Sequence, residues 1–273
     1  MDNAKGCDRS PFALTGTLYE LINFNRMKQM IRVLAVIFFL IVSSASFTQE
    51  RIKYLKKMHA RGYLQWYKTM TFTQATEFYR NDSLIRKATW YEAFKMPYDL
   101  RIDLEDPGKG IFVLYKKDSL YRFQGNVFKN ATPGGNPLSF FLGAMYLVNF
   151  DSVRAEFSRK KFDINKGYKT KWNGRKAYVI GRNKDTDTGN AIWIDLENLW
   201  IVRIIQKDKD HLIDAHLKDH TRFSKGWSET AIDIYVDGKL FQKERYSNLK
   251  TDVPLDDKLF DTFNFVSAKH WYN

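Results

Sequence analysis

Cysteine is nearly missing from this chain. The single one, Cys7, lies ahead of the apolar run at residues 33–42. A chain cut after that run keeps none, so disulfides, thiolate metal sites and thiol nucleophiles are excluded. A cysteine for lipid attachment just after the run is missing too. Proline is scarce, with six in 273 residues, and no Pro/Gly/Ser-rich linker divides the chain. No apolar run reaches the ~20 residues that a spanning helix needs. There is no Gly-x-Ser-x-Gly elbow and no glycine-rich phosphate loop. Asp185–Asn190 (DTDTGN) lacks the length and the distal glutamate of a calcium loop, and reads as a turn. His211, His216 and His220 fall in a strand-like segment, where residues four apart stand ~13 Å from one another, too far to share a metal. The expectation is a chain with no catalysis, no metal and no cofactor.

What the chain does have is aromatic and basic character. Aromatics make up 16% of residues and hydrophobics 44%, against 27% charged. That excludes a disordered chain and favours the pleated, half-buried surfaces of β structure. The formal net charge is +13. Five basic and three acidic residues lie in 1–45, so the remainder carries +11. The Lys and Arg are scattered through alternating segments rather than gathered, and no recognition motif accompanies them, which argues against nucleic acid.

From Met27 the chain reads MKQMIRVLAVIFFLIVSSASFTQE. Lys28 and Arg32 precede a run of about ten apolar residues, and small residues follow at Ser43-Ser44-Ala45, the pattern of an export leader. A short buried helix is the plainer alternative. Met27 is the expected start, residues 1–45 are expected to be extension and leader, and 46–273 a single domain in the periplasm.

Residues 49–60 read as a short helix, with Ile52, Leu55 and Met58 on one face and Gly62 as its stop. Beyond it the period becomes two. Leu100, Ile102 and Leu104 alternate with Arg101, Asp103 and Glu105, a strand with one wet face. Trp90 to Phe94 precedes it in the same meander, interrupted at Pro97. Asp106-Pro107-Gly108 is a turn, and Ile111–Tyr115 with Leu120–Phe123 form a hairpin around Lys117-Asp118. Asn173-Gly174 tips a second hairpin. Ala191–Asp195 and Trp200–Gln206 are joined at Glu197-Asn198. HLIDAHLKDHTRF, WSETAIDIYVDG and KLFQKERYSNLK supply three more strands, with Asp237-Gly238 as a turn. This spacing belongs to an antiparallel sheet.

One stretch breaks the pattern. Residues 136–150, NPLSFFLGAMYLVNF, carry no charge. Asn136 is placed to cap a helix whose sides would all be apolar. Such a helix is either core between two layers or a roof over an apolar cavity.

The order of these features resembles the LolA/LolB-like outer-membrane lipoprotein carrier family of the Gram-negative envelope. The resemblance rests on a leader, a short helix running into Phe72-Thr73-Gln74, and Pro97 within FKMPYDLRIDL. It continues through the hairpin KKDSLYRFQ, the apolar helix and the tail PLDDKLFDTFNF. It spans roughly 50–265 and is one of pattern; the stretch 211–240 carries more strand than that family has. It implies a mainly β (α+β) fold, a curved antiparallel half-barrel sheet of about eleven strands closed by short helices. Its hollow would hold the acyl chains of a lipoprotein or another lipid, exchanged with inner- and outer-membrane partner proteins. Candidate wall residues are Trp90, Phe94, Leu100, Ile102, Phe112, Leu114, Tyr121, Phe123, Trp193 and Ile204, with Phe140, Phe141 and Met145 from the helix. The alternative is an envelope structural or interaction protein of the same fold whose core is filled, since alternation identifies a face without showing whether it is packed.

Overall fold

The computed structural model describes residues 52–136, 138–223 and 225–272. The leader and the extension before it lie outside the described residues. Residues 52–62 are helical (α1) and bury Leu55 and Met58, as their three-residue spacing predicts.

Fifteen strands follow among the described residues. Thirteen form one sheet and two form a separate ribbon, β12 (Thr221–Phe223) with β13 (Gly226–Ser228). The first half is a meander of six: β1 (Thr69–Arg80), β2 (Ser83–Lys95), β3 (Asp99–Leu104), β4 (Phe112–Lys116), β5 (Ser119–Gln124) and β6 (Val127–Pro133). The second half runs through β7 (Gly167–Trp172), β8 (Arg175–Ile180), β9 (Ala191–Asp195), β10 (Ile201–Asp208), β11 (His211–Lys218), β14 (Ala231–Val236) and β15 (Lys239–Thr251). Pairing of β1 with β15 joins the halves, every ladder is antiparallel, and β6 and β7 are the two open edges. The sheet is therefore larger than the eleven strands expected, and it does not close on itself. β6 escapes sequence reading because all seven of its residues are exposed, so it has no apolar alternation.

The turns follow local chemistry. Asn173 and Gly174 both take positive φ (48° and 79°), as do Asp237 and Gly238 (50° and 77°). This is the backbone that two-residue hairpins require. Asp106 accepts a hydrogen bond from the Gly108 amide at 2.8 Å and caps the turn at Pro107–Lys109.

The sheet is curved. Inward residues of β1–β3 (Met70, Phe72, Phe94, Leu100, Ile102) and of β8–β11 (Tyr178, Ile180, Ile192, Ile194, Ile204, Ala215) belong to one apolar cluster. The short helices fill the space between. The apolar stretch 136–150 is not one helix. Asn136 Oδ1 accepts from the Leu138 and Ser139 amides (2.9 and 3.1 Å), and α2 spans only Ser139–Leu142. The chain turns at Gly143, makes a 3-10 turn at Ala144–Tyr146, and restarts as α3 (Phe150–Arg159), capped by Asn149. A Cβ on Gly143 would stand 2.3 Å from Met96 Cε and 3.0 Å from Trp66 Nε1, so close approach of the chain to these side chains favours glycine there. The break turns most of the stretch into core. Phe140, Phe141, Met145 and Tyr146 are all buried, and Phe141 meets Phe157 and Phe162 with ring centroids 5.5 and 5.1 Å apart. Each such side chain contributes ~1.5–3 kcal/mol by leaving water.

The convex face has its own covers. The C-terminal segment lays Leu259, Phe260 and Phe265 over Phe112, Leu114 and Phe123. On the far wing, Trp193, Val179 and Ile205 pack with Trp172.

Candidate functional site

The concave face of β1, β2, β3 and β15 lines a partly open cavity of about 230 Å³. Register explains its lining. Met70 faces Phe94 and Phe72 faces Glu92 across β1–β2, while Glu92 faces Ile102 and Phe94 faces Leu100 across β2–β3. On the other side Gln74 opposes Tyr246 and Thr76 opposes Glu244. Strand parity thus brings Met70, Phe72, Trp90, Phe94, Leu100 and Ile102 to one apolar wall. It brings Gln74, Glu92, Gln242, Glu244 and Tyr246 to the adjoining floor. Leu138, just before α2, with Ser139 and Leu142 of α2, forms the roof, and Glu229, between β13 and β14, lies at one side.

Of the wall expected from sequence, Trp90, Phe94, Leu100 and Ile102 line this cavity. Ile204 is inward and buried but belongs to the other wing. Phe140, Phe141 and Met145 are packed core rather than lining. Phe112, Leu114, Tyr121, Phe123 and Trp193 need correction: they stand on the opposite face of the sheet. Leu100 pairs with Tyr115 and Ile102 with Val113, so Phe112 and Leu114 share a face with Asp103 and Arg101. The sequence misleads there because Phe112-Val113-Leu114-Tyr115 is apolar at both parities.

Arg101 and Asp103 also depart from expectation, for their face is not wet. Arg101 Nε and Nη2 donate to the Asp103 carboxylate at 3.0 and 2.9 Å, and the guanidinium lies 3.9 Å from the centre of the Phe112 ring. His270 Nε2 stands 3.3 Å from Asp103 Oδ2. The C-terminal segment, more than 150 residues further along the chain, supplies this cover.

The acids of the cavity have no cation partner among the described residues. Glu244 accepts from Tyr246 Oη at 2.6 Å and from Gln242 Nε2 at 2.5 Å. Glu92 is 5% exposed and has no hydrogen-bond or ion-pair partner among the described residues. Burial lifts its carboxyl well above the usual range, and the neighbouring Glu244 adds to the effect. Burial also raises Glu244, against the opposing pull of its two hydrogen bonds. Glu229 is pushed up to about 8 by burial, with Glu244 adding to it. No Lys, Arg or His is among the described lining residues. Glu92 was legible in one sense. In Trp90-Tyr91-Glu92-Ala93-Phe94 it shares parity with Trp90 and Phe94, an acid set on an apolar face.

The histidines of β11 and its flank take separate partners. His211 pairs with Asp237, His216 sits against Trp172 and Tyr235, and His220 stacks on Trp200 with centroids 4.6 Å apart.

No family model and no curated sequence matches the chain. Solved structures do match in shape. A DUF1329 family protein from Desulfovibrio piger superposes with a TM-score of 0.55 at 14% identity, covering 78% of this chain and 97% of that one. An outer-membrane lipoprotein-sorting protein domain from Vibrio parahaemolyticus gives 0.53 at 11% identity, again over 78% and 97%. The chain has the fold of these two proteins, and the lipoprotein-sorting resemblance read from its sequence holds at the level of fold.

Proposed function

We propose that this fold, shared with a lipoprotein-sorting domain, serves here to bind the hydrocarbon chain of a lipid or lipoprotein without chemistry on it. The observation that carries the reading is the apolar wall of Phe72, Trp90, Phe94, Leu100 and Ile102 facing Leu138 and Leu142 across unfilled space. A volume of 230 Å³ holds roughly eight groups of water or methylene size at ~30 Å³ each. Chain burial at ~0.8 kcal/mol per methylene gains about 6 kcal/mol before the cost of immobilisation. The volume lies below the 300–1,000 Å³ usual for ligand pockets, so only part of a longer chain is held inside and the rest runs out of its mouth. The leader-like pattern from Met27 supports export, and the binding proposed is periplasmic, with cargo exchanged between membrane partner proteins.

A second reading has its own observation: Phe140, Phe141 and Met145 are packed solid. It makes the protein an envelope interaction module with a mostly filled core. One experiment separates the two. The purified full chain is extracted with organic solvent and the extract read by mass spectrometry, and a fluorescent fatty probe is titrated in parallel. A chain binder yields stoichiometric acyl species, and Leu142→Trp, which fills the space from the roof, weakens the probe at least tenfold. A lipid-free protein that leaves the probe dark supports the filled module.

A further inference from the structure

The floor of the cavity asks for something that an acyl chain does not supply. Three carboxyl groups from three separate elements converge on one small space: Glu92 of β2, Glu229 and Glu244 of β15. Each is at least nine-tenths buried. Glu92 has no partner among the described residues, although its strand neighbours are apolar and could have been matched by an apolar residue. An unpaired buried acid costs stability that an isosteric apolar or amide side chain would not. The opposite face of the same sheet shows how this protein treats a buried acid that is only structural: Asp103 is held by Arg101 at 2.9 and 3.0 Å.

Resting on the reading of the cavity as a chain site, we propose that it selects amphiphiles whose head carries a positive charge, an alkylammonium or amine-bearing lipid. The head sits against Glu92, Glu229 and Glu244, and the chain lies along Phe94, Leu100 and Leu142. The chemistry of the lining is complementary to this class and to no anionic one. A fatty carboxylate or a phosphate would be desolvated among acids with no described cation to meet it. A primary ammonium offers three donors, and Glu92 has acceptor capacity free. The remainder of the chain is strongly basic, so this acidic interior is not a reflection of overall composition.

The charge match makes binding depend on pH. The titratable groups facing the site are Glu92 from β2, Tyr115 from β4, Glu229 from the β13–β14 link, and Glu244 and Tyr246 from β15; β1, β3, α2 and β14 contribute none. Arg245 acts on Glu244 from the far face, where it pairs with Asp233 at 2.9 Å. Tyr67 and Tyr146 feel Glu229, and both are pushed upward by burial. Burial favours the protonated form of these carboxyls, and a cation is received as they release protons. Affinity for an amine therefore rises with pH up to the amine's own pKa, near 10 for an alkylammonium.

The test uses the full chain and three ten-carbon probes, decylammonium, decanoate and decanol, titrated calorimetrically below their micelle concentrations at pH 6 and pH 8. At pH 8 decylammonium is expected to bind at least tenfold tighter than either other probe, to release protons on binding, and to lose at least threefold at pH 6. Glu92→Gln and Glu244→Gln, which keep shape and remove charge, are expected to bring the ratio of decylammonium to decanol affinity close to one. If decanol binds and decylammonium shows no preference, or if the preference survives both substitutions, the charge selection is wrong while the chain site stands. If no probe binds, the chain site fails and this inference with it.

Discussion

Two buried charged sites lie within one hydrogen-bonded strand pair, on opposite faces. On the convex face, Arg101 and Asp103 of β3 hold each other in a two-pronged ion pair under the C-terminal segment, with His270 and the Phe112 ring alongside. On the concave face, Glu92 of β2 stands alone over a cavity among the described residues. Both acids are buried, yet one is closed over by the chain itself and the other borders an open space and has no cation beside it among the described residues. A buried pair is often neutral for stability but costly to break, whereas a lone buried acid is costly as it stands. The first arrangement is architecture. The second makes physical sense where a guest completes it.

The largest expected effect tests where core ends and cavity begins. Phe141→Asp sets a carboxylate among Phe140, Phe157 and Phe162 and is expected to leave no cooperatively folded protein by circular dichroism. A folded variant with weakened probe binding would instead put Phe141 on the cavity wall. Next, Asp103→Ala leaves Arg101 buried without its carboxylate and is expected to cost roughly 3–5 kcal/mol in urea denaturation. A loss under ~1 kcal/mol would erase the contrast between the faces.

The concave acids set the pH dependence of stability. Glu229 has a folded pKa of about 8, above the ordinary glutamate value in the mid-4s. Between those limits the folded chain holds a proton that the unfolded chain has released. Stability from this group is fully present below pH ~4.5, falls as pH rises, and is gone above pH ~8. The slope is about 1.4 kcal/mol per pH unit at most. The melting temperature is expected to drop from pH 5 to pH 8, and Glu229→Gln is expected to flatten that drop. A melting temperature that climbs over this window would contradict burial of these acids. The most diagnostic is Glu92→Gln, expected to leave stability nearly unchanged near pH 5 and to raise it at pH 8, because the folded chain no longer holds a proton that the unfolded chain has released. A loss at both pH values would mean that Glu92 has a structural partner after all.

Much was legible without coordinates. Asn173-Gly174, Asp237-Gly238 and Asp106-Pro107-Gly108 lie at turns, because glycine, asparagine and aspartate tolerate the backbone those turns need. Leu100 and Ile102 share a face with Trp90 and Phe94, since strand periodicity is local. The antiparallel, β-rich class followed from the spacing between turns.

The inside of the sheet was another matter. Alternation sorts residues into two sets and says nothing of which set will be covered. For Phe112, Leu114, Phe123 and Trp193 both sets were apolar enough to qualify, and packing by other segments settled the choice. For Arg101 and Asp103 the cover came from residues 259–270, far away in the chain, and turned an apparently wet face into a dry ion pair. The vacancy beside Glu92 arises in the same way, from where α2 stops at Gly143 and where β15 comes to lie against β1. Local chemistry writes turns and strand parity into neighbouring residues; burial belongs to contacts between distant ones, and only the folded arrangement brings those together.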